Sequence, residues 1–351
     1  MKKTLINVLK YAAATGFGIL LLYLALKDIS WDEFTETVRN ANLGWLLFSM
    51  AIGGFSHYIR GVRWGMQYRA FGYNPSNLRL FSAVMFGYLV NQAIPRGGEV
   101  ARCSILIKSD KIPFAKSVGS VVVERVFDLL ILVILIGVAF VLEIDVLESM
   151  LSEFFPNGVS GVGLLAIIGG VGLTGLVSYF AFRKHFLNIP LFKKLDDFVM
   201  NLFKSALSVK DIEKPWLFIV YTIIIWVCYI LMTYVAFFAL EEVANLDINL
   251  LYFSVIVTVI GGIGMALPSP GGIGSYHTAV WVVFAALMVT GAYESSKSLG
   301  VTWAFIMHLS QFVMMVSLGI LGYIYLSYVA PEVDSAMEGF EHEEEPVEAT
   351  S

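Results

Sequence analysis

The chain has 351 residues, 58% hydrophobic and only 15% charged, against about 25% charged in an ordinary soluble domain. A soluble globule could not hide that much apolar surface. The formal net charge of -5 says little by itself, because acids and bases are segregated along the chain.

The amino end, 5–26, reads as a first membrane span. Its basic start resembles a signal peptide, but small residues precede the apolar core rather than follow it, so no cleavage is expected. In "SWDEFTETVRNA" Ser30 stands three residues before Glu33, a capping-box spacing, and Trp31, Phe34 and Val38 follow at helical intervals. That predicts a short helix on the outer membrane interface. Further apolar segments suited to a hydrocarbon core of about 30 Å fall at 44–60, 79–94, 117–142, 158–182, 216–240, 250–267, 273–290 and 299–329. The fold class expected is all-α, a polytopic transmembrane bundle over 1–330. The tail 331–351 is acidic and apolar-poor and is expected to be disordered in the cytoplasm. Cys103 and Cys228 lie in or beside membrane segments without metal-ligand spacing, so neither a disulfide framework nor a metal is implied.

Lys and Arg mark cytoplasmic loops. The stretch 60–79 carries Arg60, Arg63, Arg69 and Arg79 without an acid, and 183–214 is rich in lysine. Both are placed inside. The acid-only stretches 143–157 and 241–249 are placed outside. Walking this map from a cytoplasmic amino end, the pair 79–94 and 99–109 must begin and end inside. The second arm, about 16 Å long at about 1.5 Å per residue, cannot cross the core. The pair is most simply a re-entrant hairpin turning at Pro95-Arg96-Gly97-Gly98. The pair 250–267 and 273–290 begins and ends outside, turning through "ALPSPGGIGSYH". The two breaks share Ala, an aliphatic, Pro and Gly-Gly, and they enter from opposite faces. Paired Gly/Pro interruptions in corresponding halves point to an inverted repeat with its site at mid-depth. Two independently kinked helices are the plainer alternative.

Within a bilayer an irregular backbone survives only where protein or a wet cavity satisfies it, and a new helix N-terminus attracts anions. The helices starting near Gly98-Glu99 and Gly272-Ile273 would aim two such ends at one cavity, with Gly97 and Gly271 allowing close approach. Arg96 and Arg102 flank the first break. Glu124 and Asp128 share one face of the next span, with Arg125 turned about 100° away. Intramembrane ionisable groups are costly and default to function, and arginine's planar donors fit a phosphate. The same charges could instead clamp the hairpin, Glu99 pairing with Arg102 and Arg96 with Glu124 or Asp128. At the second break Ser269, Ser275, Tyr276 and His277 offer hydrogen bonds, with His308 and Gln311 three apart on the final span. Asn91 and Gln92 would satisfy the loosened backbone of the first.

"NQAIPRGGEVARCSIL", then "SVGSVVVERVFD", then "ALPSPGGIGSYHTA", in that order, resemble the lysylphosphatidylglycerol synthase transmembrane-region family of flippase-like proteins over roughly 5–330. In bifunctional members this region is implicated in moving an aminoacylated phosphatidylglycerol across the inner membrane, while a separate soluble domain makes that lipid. Here the tail 331–351 follows the last span, so the synthase activity is not expected. The resemblance places family motif positions at Asn91, Pro95, Arg96, Gly97, Gly98, Glu99, Arg102, Glu124, Arg125, Asp128, Pro268, Pro270, Gly271, Gly272 and Gly274, without assigning their roles.

The function expected is therefore translocation of a phosphate-bearing lipid across a bacterial cytoplasmic membrane, both termini inside. Its head would enter the mid-depth cavity against Arg96, Arg102, Arg125, the backbones of Gly97, Gly98, Gly271 and Gly272, Ser275 and His277, with Glu99, Glu124 and Asp128 holding the arginines or sensing an ammonium. Asn91, Pro95, Pro268, Pro270 and Gly274 would act as structural hinges. Membrane lipids are the expected partners, nucleic acid is not, and a homo-oligomer stays open. No cofactor is implied. No nucleotide-binding Gly-Lys-Ser/Thr loop occurs, so the chain itself is not expected to use ATP. Two other classes are alternatives: a small-solute or ion-coupled transporter of the same architecture, and an intramembrane enzyme with Ser275 as nucleophile and His277 or His308 as base. A helix-capping role explains Ser275 without catalysis.

Overall fold

The computed structural model describes residues 30–142, 208–267, 269–287 and 293–343, with scattered positions between 16 and 27 and between 163 and 200. The predicted spans 5–26 and 158–182, the acidic loop 143–157, most of the basic stretch 183–214, Pro268 and the end of the tail lie wholly or mostly outside the described residues. Every regular element among those described is a helix. The chain divides into two compact units, one formed by Met1–Glu124 with Asp211–Ser351 and the other by Arg125–Lys210.

Helix α1, Trp31–Asn40, is the predicted short amphipathic helix. The Ser30 carbonyl accepts the Phe34 N–H at 3.0 Å. Phe34 is buried edge-on against Phe305, ring centroids 5.2 Å apart, while Trp31 stays exposed. Helix α2, Leu43–Ala70, begins at an Asn42 cap that accepts the Gly44 N–H. It runs well past the expected end at residue 60. Arg60 and Arg63 therefore sit in a helix interior, both buried, which corrects the reading of 60–79 as a cytoplasmic loop. Helix α3, Asn77–Ala93, is capped by the Ser76 hydroxyl, which accepts the Arg79 N–H. Then come α4, Gly97–Asp110, and α5, Phe114–Leu142.

Helix α6, Pro215–Phe237, has proline at its first position, where the ring costs no intrahelical bond. After one turn at Glu241–Ala244, Asn249 caps α7, Leu250–Ala266, accepting the Tyr252 N–H. Helix α8 is Ser275–Leu287, and α9 is Tyr293–Glu343. Helix α6 and the Ser298–Val329 part of α9 are long and apolar enough to cross a membrane. Helix α9 continues beyond Pro331, so the tail expected to be disordered begins as helix. Adding one residue to an existing helix is far easier than nucleating one, and Glu, Met and Ala in this stretch are good helix formers.

Contacts within the first unit fix helix directions. Along α2 and α6, Ser49 meets the Met232 carbonyl and Arg63 meets Thr222, so these helices are antiparallel. Gly322 lies against the Ser82 backbone and Gly319 against Met85 and Leu89, which sets α3 antiparallel to α9. Helix α8 also opposes α9: Gly300 lies against Phe284, and the His277 and His308 rings are 4.9 Å apart. Gly264 lies against the Ser275 carbonyl and Gly261 against Tyr276 and Val280, making α7 and α8 an antiparallel hairpin. It follows that α3 and α8 run in the same direction and α7 runs opposite to α3. The two hairpins, α3–α4 and α7–α8, approach their breaks from opposite directions.

Candidate functional site at the meeting of two helix breaks

Each hairpin turns in a different way. At the first tip the chain leaves α3 through Ile94 and Pro95, and Arg96 adopts φ 59, ψ 10, a left-handed conformation that costs a residue with a Cβ about 1–2 kcal/mol. Gly97 and Gly98 are already helical. They are small because neighbours are close: a Cβ on Gly97 would stand 2.8 Å from the Ile94 Cγ2, and one on Gly98 would collide with the Gly87 carbonyl oxygen. The Asn91 Oδ1 accepts the Gly98 N–H at 2.7 Å. A side chain of α3 thus caps α4 across the break, matching the expectation for Asn91. Asn91→Ala should lower the unfolding temperature by the equivalent of about 1 kcal/mol; Asn91→Asp, which keeps the acceptor, should recover most of it.

The second tip is a true glycine turn. Pro270–Gly272 forms a single 3-10 turn, and Gly271, Gly272 and Gly274 have φ of 56, 80 and 79°. Ser269 and Ser275 share a hydrogen bond at 2.7 Å, and the Ser275 hydroxyl donates to the Gly272 carbonyl at 3.2 Å. His277 Nδ1 accepts the Gly274 N–H at 3.3 Å, and His308 Nε2 lies 2.8 Å from the Gly271 carbonyl. A carbonyl only accepts, so His308 carries its proton on Nε2. The serine and both histidines are thus committed to shaping the turn. Ser275 and His277 do not form a nucleophile–base pair here: the serine hydroxyl bonds Ser269 and the Gly272 carbonyl, and His277 Nδ1 takes a backbone N–H.

The two tips touch. Arg96 Nη2 donates to the Ala266 carbonyl, the last residue of α7, at 3.0 Å. A cation there also complements the negative end of the helix dipole. From the other side, the Gln92 side-chain oxygen lies in the space a Cβ on Gly271 would need. The alternative clamp of Arg96 to Glu124 or Asp128 is not what forms: its guanidinium bridges the hairpins instead. Arg96 remains exposed.

Arg102 and Glu124 lie in the core beside the first hairpin. Arg102 Nη2 is 2.7 Å from Glu124 Oε2, with the carboxylate side chain wholly buried, and Arg63 Nη2 approaches the other oxygen at 3.5 Å. Arg63 also donates to Thr222 at 2.9 Å, and Arg60 to the Tyr229 hydroxyl at 3.0 Å. The flat faces are covered too. Arg102 lies 4.4 Å from the Trp64 ring centroid and Arg63 5.2 Å from that of Phe218, favourable cation–π geometry. In this conformation Arg102 and Glu124, expected to touch substrate, are engaged with each other and tie α2, α4, α5 and α6 together. The sequence reading missed Arg60 and Arg63 as members of this cluster. A signal was present: His57, Arg60, Trp64 and Gln67 recur at three and four residues along α2, one helical face. In the second unit Arg125 Nη1 lies 3.9 Å from Asp128 Oδ2, one turn along α5.

The sequence profile of the lysylphosphatidylglycerol synthase transmembrane region matches residues 7–319. The chain belongs to that family. Among its relatives is the glycosyltransferase AglD of Haloferax volcanii, 26% identical over 78% of this chain and 48% of its own; the chain thus spans about half of that relative's length. A UPF0104 membrane protein of Methanocaldococcus jannaschii is 22% identical over 94% of this chain and 98% of its own. Another, from Pyrococcus horikoshii, is 22% identical over 81% and 88%. No solved structure matches the chain.

As a lysylphosphatidylglycerol synthase transmembrane-region protein, the chain is an integral membrane protein tied to lipid-related processes. Cavities lie elsewhere among the described residues of its first unit. One, of about 380 Å³, lies where α2 ends and α6 begins, lined by Arg69, Asp211, Glu213 and Lys214 among others. The second, of about 350 Å³, lies along α4 against α3 and α9. Cys103 and Cys228 are both buried and free.

Proposed function

We propose that this protein moves a phosphate-bearing lipid between leaflets of a cytoplasmic membrane. The observation that supports this most is the direct meeting of two broken hairpins running in from opposite directions. The 17 residues of α3 and the 14 of α4 amount to about 25 and 21 Å at about 1.5 Å each, short of a core of about 30 Å. Arms of that length suit re-entrant hairpins meeting at mid-depth, where a head group needs donors that replace water. Arg96 is the group best placed to greet a phosphate, because it is exposed and held by a carbonyl that an anion can outcompete. Glu99, at the start of α4, is suited to an ammonium on an aminoacylated head. Gly97, Gly98, Gly271 and Gly272 keep the backbone open to close approach, while Ser275 and His277 hold the second turn in shape. Arg102 with Glu124 anchors the first hairpin. Both termini are assigned to the cytoplasm by the charge pattern. Because the relatives named above are archaeal, the membrane is assigned to a prokaryote without restriction to bacteria.

The test is transbilayer movement in vesicles holding the purified protein and fluorescent phospholipids, read as the fraction bleached by dithionite over time. Movement above that of protein-free vesicles is expected; equality for every lipid class tried would end the proposal. Arg96→Gly is the informative variant. It keeps the left-handed backbone and removes the guanidinium, so translocation should fall about tenfold or more, the factor for about 1.4 kcal/mol, with the unfolding temperature unchanged or raised. A second reading draws on the relative named a glycosyltransferase: the region would assist glycosyl transfer. Turnover of a sugar nucleotide by the purified chain, without lipid movement, would favour it.

A further inference from the structure

Beside the first hairpin, α4 and α9 part to leave the 350 Å³ groove. One stretch of its wall is apolar: Phe86 and Tyr323 are stacked with centroids 5.2 Å apart, and Ile105 and Leu326 continue the surface. At the end nearest the start of α3 and the finish of α4, the wall turns polar, with Lys108 and neighbouring serines. Of the side chains lining the groove, Lys108 is the one that carries charge. The adjacent acid does not cancel it: Asp110 takes Arg79 at 3.0 Å and the Ser109 hydroxyl at 2.7 Å. The apolar end reaches Ala101, one turn from Gly98 at the tip. An amphipathic slot with an apolar floor, a cation at its outer end and the tip at its inner end fits a lipid in orientation as well as in chemistry.

We propose that this groove is the entry site for an anionic phospholipid, with one hydrocarbon tail between Phe86, Ile105 and Tyr323 and the phosphate at the Lys108 ammonium. The site deepens the translocase reading and rests on it, since it names where the lipid sits before its head reaches Arg96. A tail contributes about 0.8 kcal/mol per buried methylene, so the groove binds lipid of either charge, and Lys108 supplies the preference for a net negative head.

The purified full chain in detergent is titrated with dioleoylphosphatidylglycerol or dioleoylphosphatidylcholine, and bound lipid is counted by native mass spectrometry. Phosphatidylglycerol should occupy the protein at about tenfold lower concentration than phosphatidylcholine, equivalent to about 1.4 kcal/mol. Lys108→Glu should abolish that preference. Ala101→Trp, which fills the apolar end, should weaken both lipids; Ser327→Phe, on the exposed wall, does the same where Ala101→Trp fails to fold. Equal binding of the two lipids by the wild type, or an undiminished preference in Lys108→Glu, overturns the site. Translocation is read separately in vesicles. Selective binding without movement leaves the groove standing and removes the translocase reading. Movement with Lys108→Glu unaltered in preference does the reverse.

Discussion

Glu124→Ala should cost the folded protein about 3–5 kcal/mol, the usual penalty for leaving buried charge without its partner. The carboxylate has no exposed surface, and it is approached by Arg102 at 2.7 Å and Arg63 at 3.5 Å. Removing it leaves two guanidinium groups, also buried, next to one another in a medium of low dielectric. The cost comes from that repulsion and desolvation more than from the lost hydrogen bonds. Glu124→Gln separates these contributions: it keeps an acceptor but not the charge, and should lie between wild type and Glu124→Ala. Thermal unfolding in detergent checks both, with Glu124→Ala expected to unfold roughly 10 °C lower or more, at a few degrees per kcal/mol. An Ala variant as stable as wild type would show that the arginines find water or another carboxylate, and that the cluster is not the fastening it is taken for.

Gly98→Val should open the first hairpin. A Cβ at this position would run into the carbonyl oxygen of Gly87 and the Asn91 amide. A backbone oxygen cannot swing aside as a side chain can, so α3 and α4 must separate. Overpacking of this kind costs about 1–3 kcal/mol in ordinary cores, and here it also breaks the Asn91 cap, for about 1 kcal/mol more. Gly87→Val meets the same contact from the other helix, 2.8 Å from the Gly98 oxygen. The two substitutions should therefore be less than additive when combined. Both should abolish lipid movement, since each pulls Arg96 away from Ala266. Gly119→Ala is the control: nothing lies within 4 Å of its Cβ position, and it should be neutral or raise stability by about 0.5–1 kcal/mol.

Much of this arrangement could be read from residue order. Pro95 and Pro270 with their following glycines marked both breaks, and the capping-box spacing at Ser30 marked α1. Asn91, seven residues before Gly98, was expected to satisfy backbone and does so. What could not be read depends on contacts between distant segments. The rule that arginine marks a cytoplasmic loop placed Arg60 and Arg63 outside the bundle, because it weighs charge without asking whether distant partners wait for them: Glu124, 61 residues on, for Arg63, and the Tyr229 hydroxyl for Arg60. Likewise, the clamp alternative gave Arg96 an acidic partner because charges suggest charges. The actual partner is a peptide carbonyl 170 residues away, and a helix terminus leaves no signature in side-chain chemistry. The shared Pro and Gly-Gly also concealed a difference: at one break the glycines make room, and at the other they make the turn.

That difference makes the pair mechanically unequal. On one side of the contact stands a short elbow whose geometry is pinned by a proline, by an arginine in a costly backbone well and by an amide cap. Facing it are three glycines, each in a torsional region broad and shallow for that residue alone, held in place by two imidazoles and two hydroxyls. Any thrust transmitted between them deforms the softer member first. If the protein moves lipid as proposed, the larger displacement is expected in the loop at Gly271, with the elbow at Arg96 serving as its anvil.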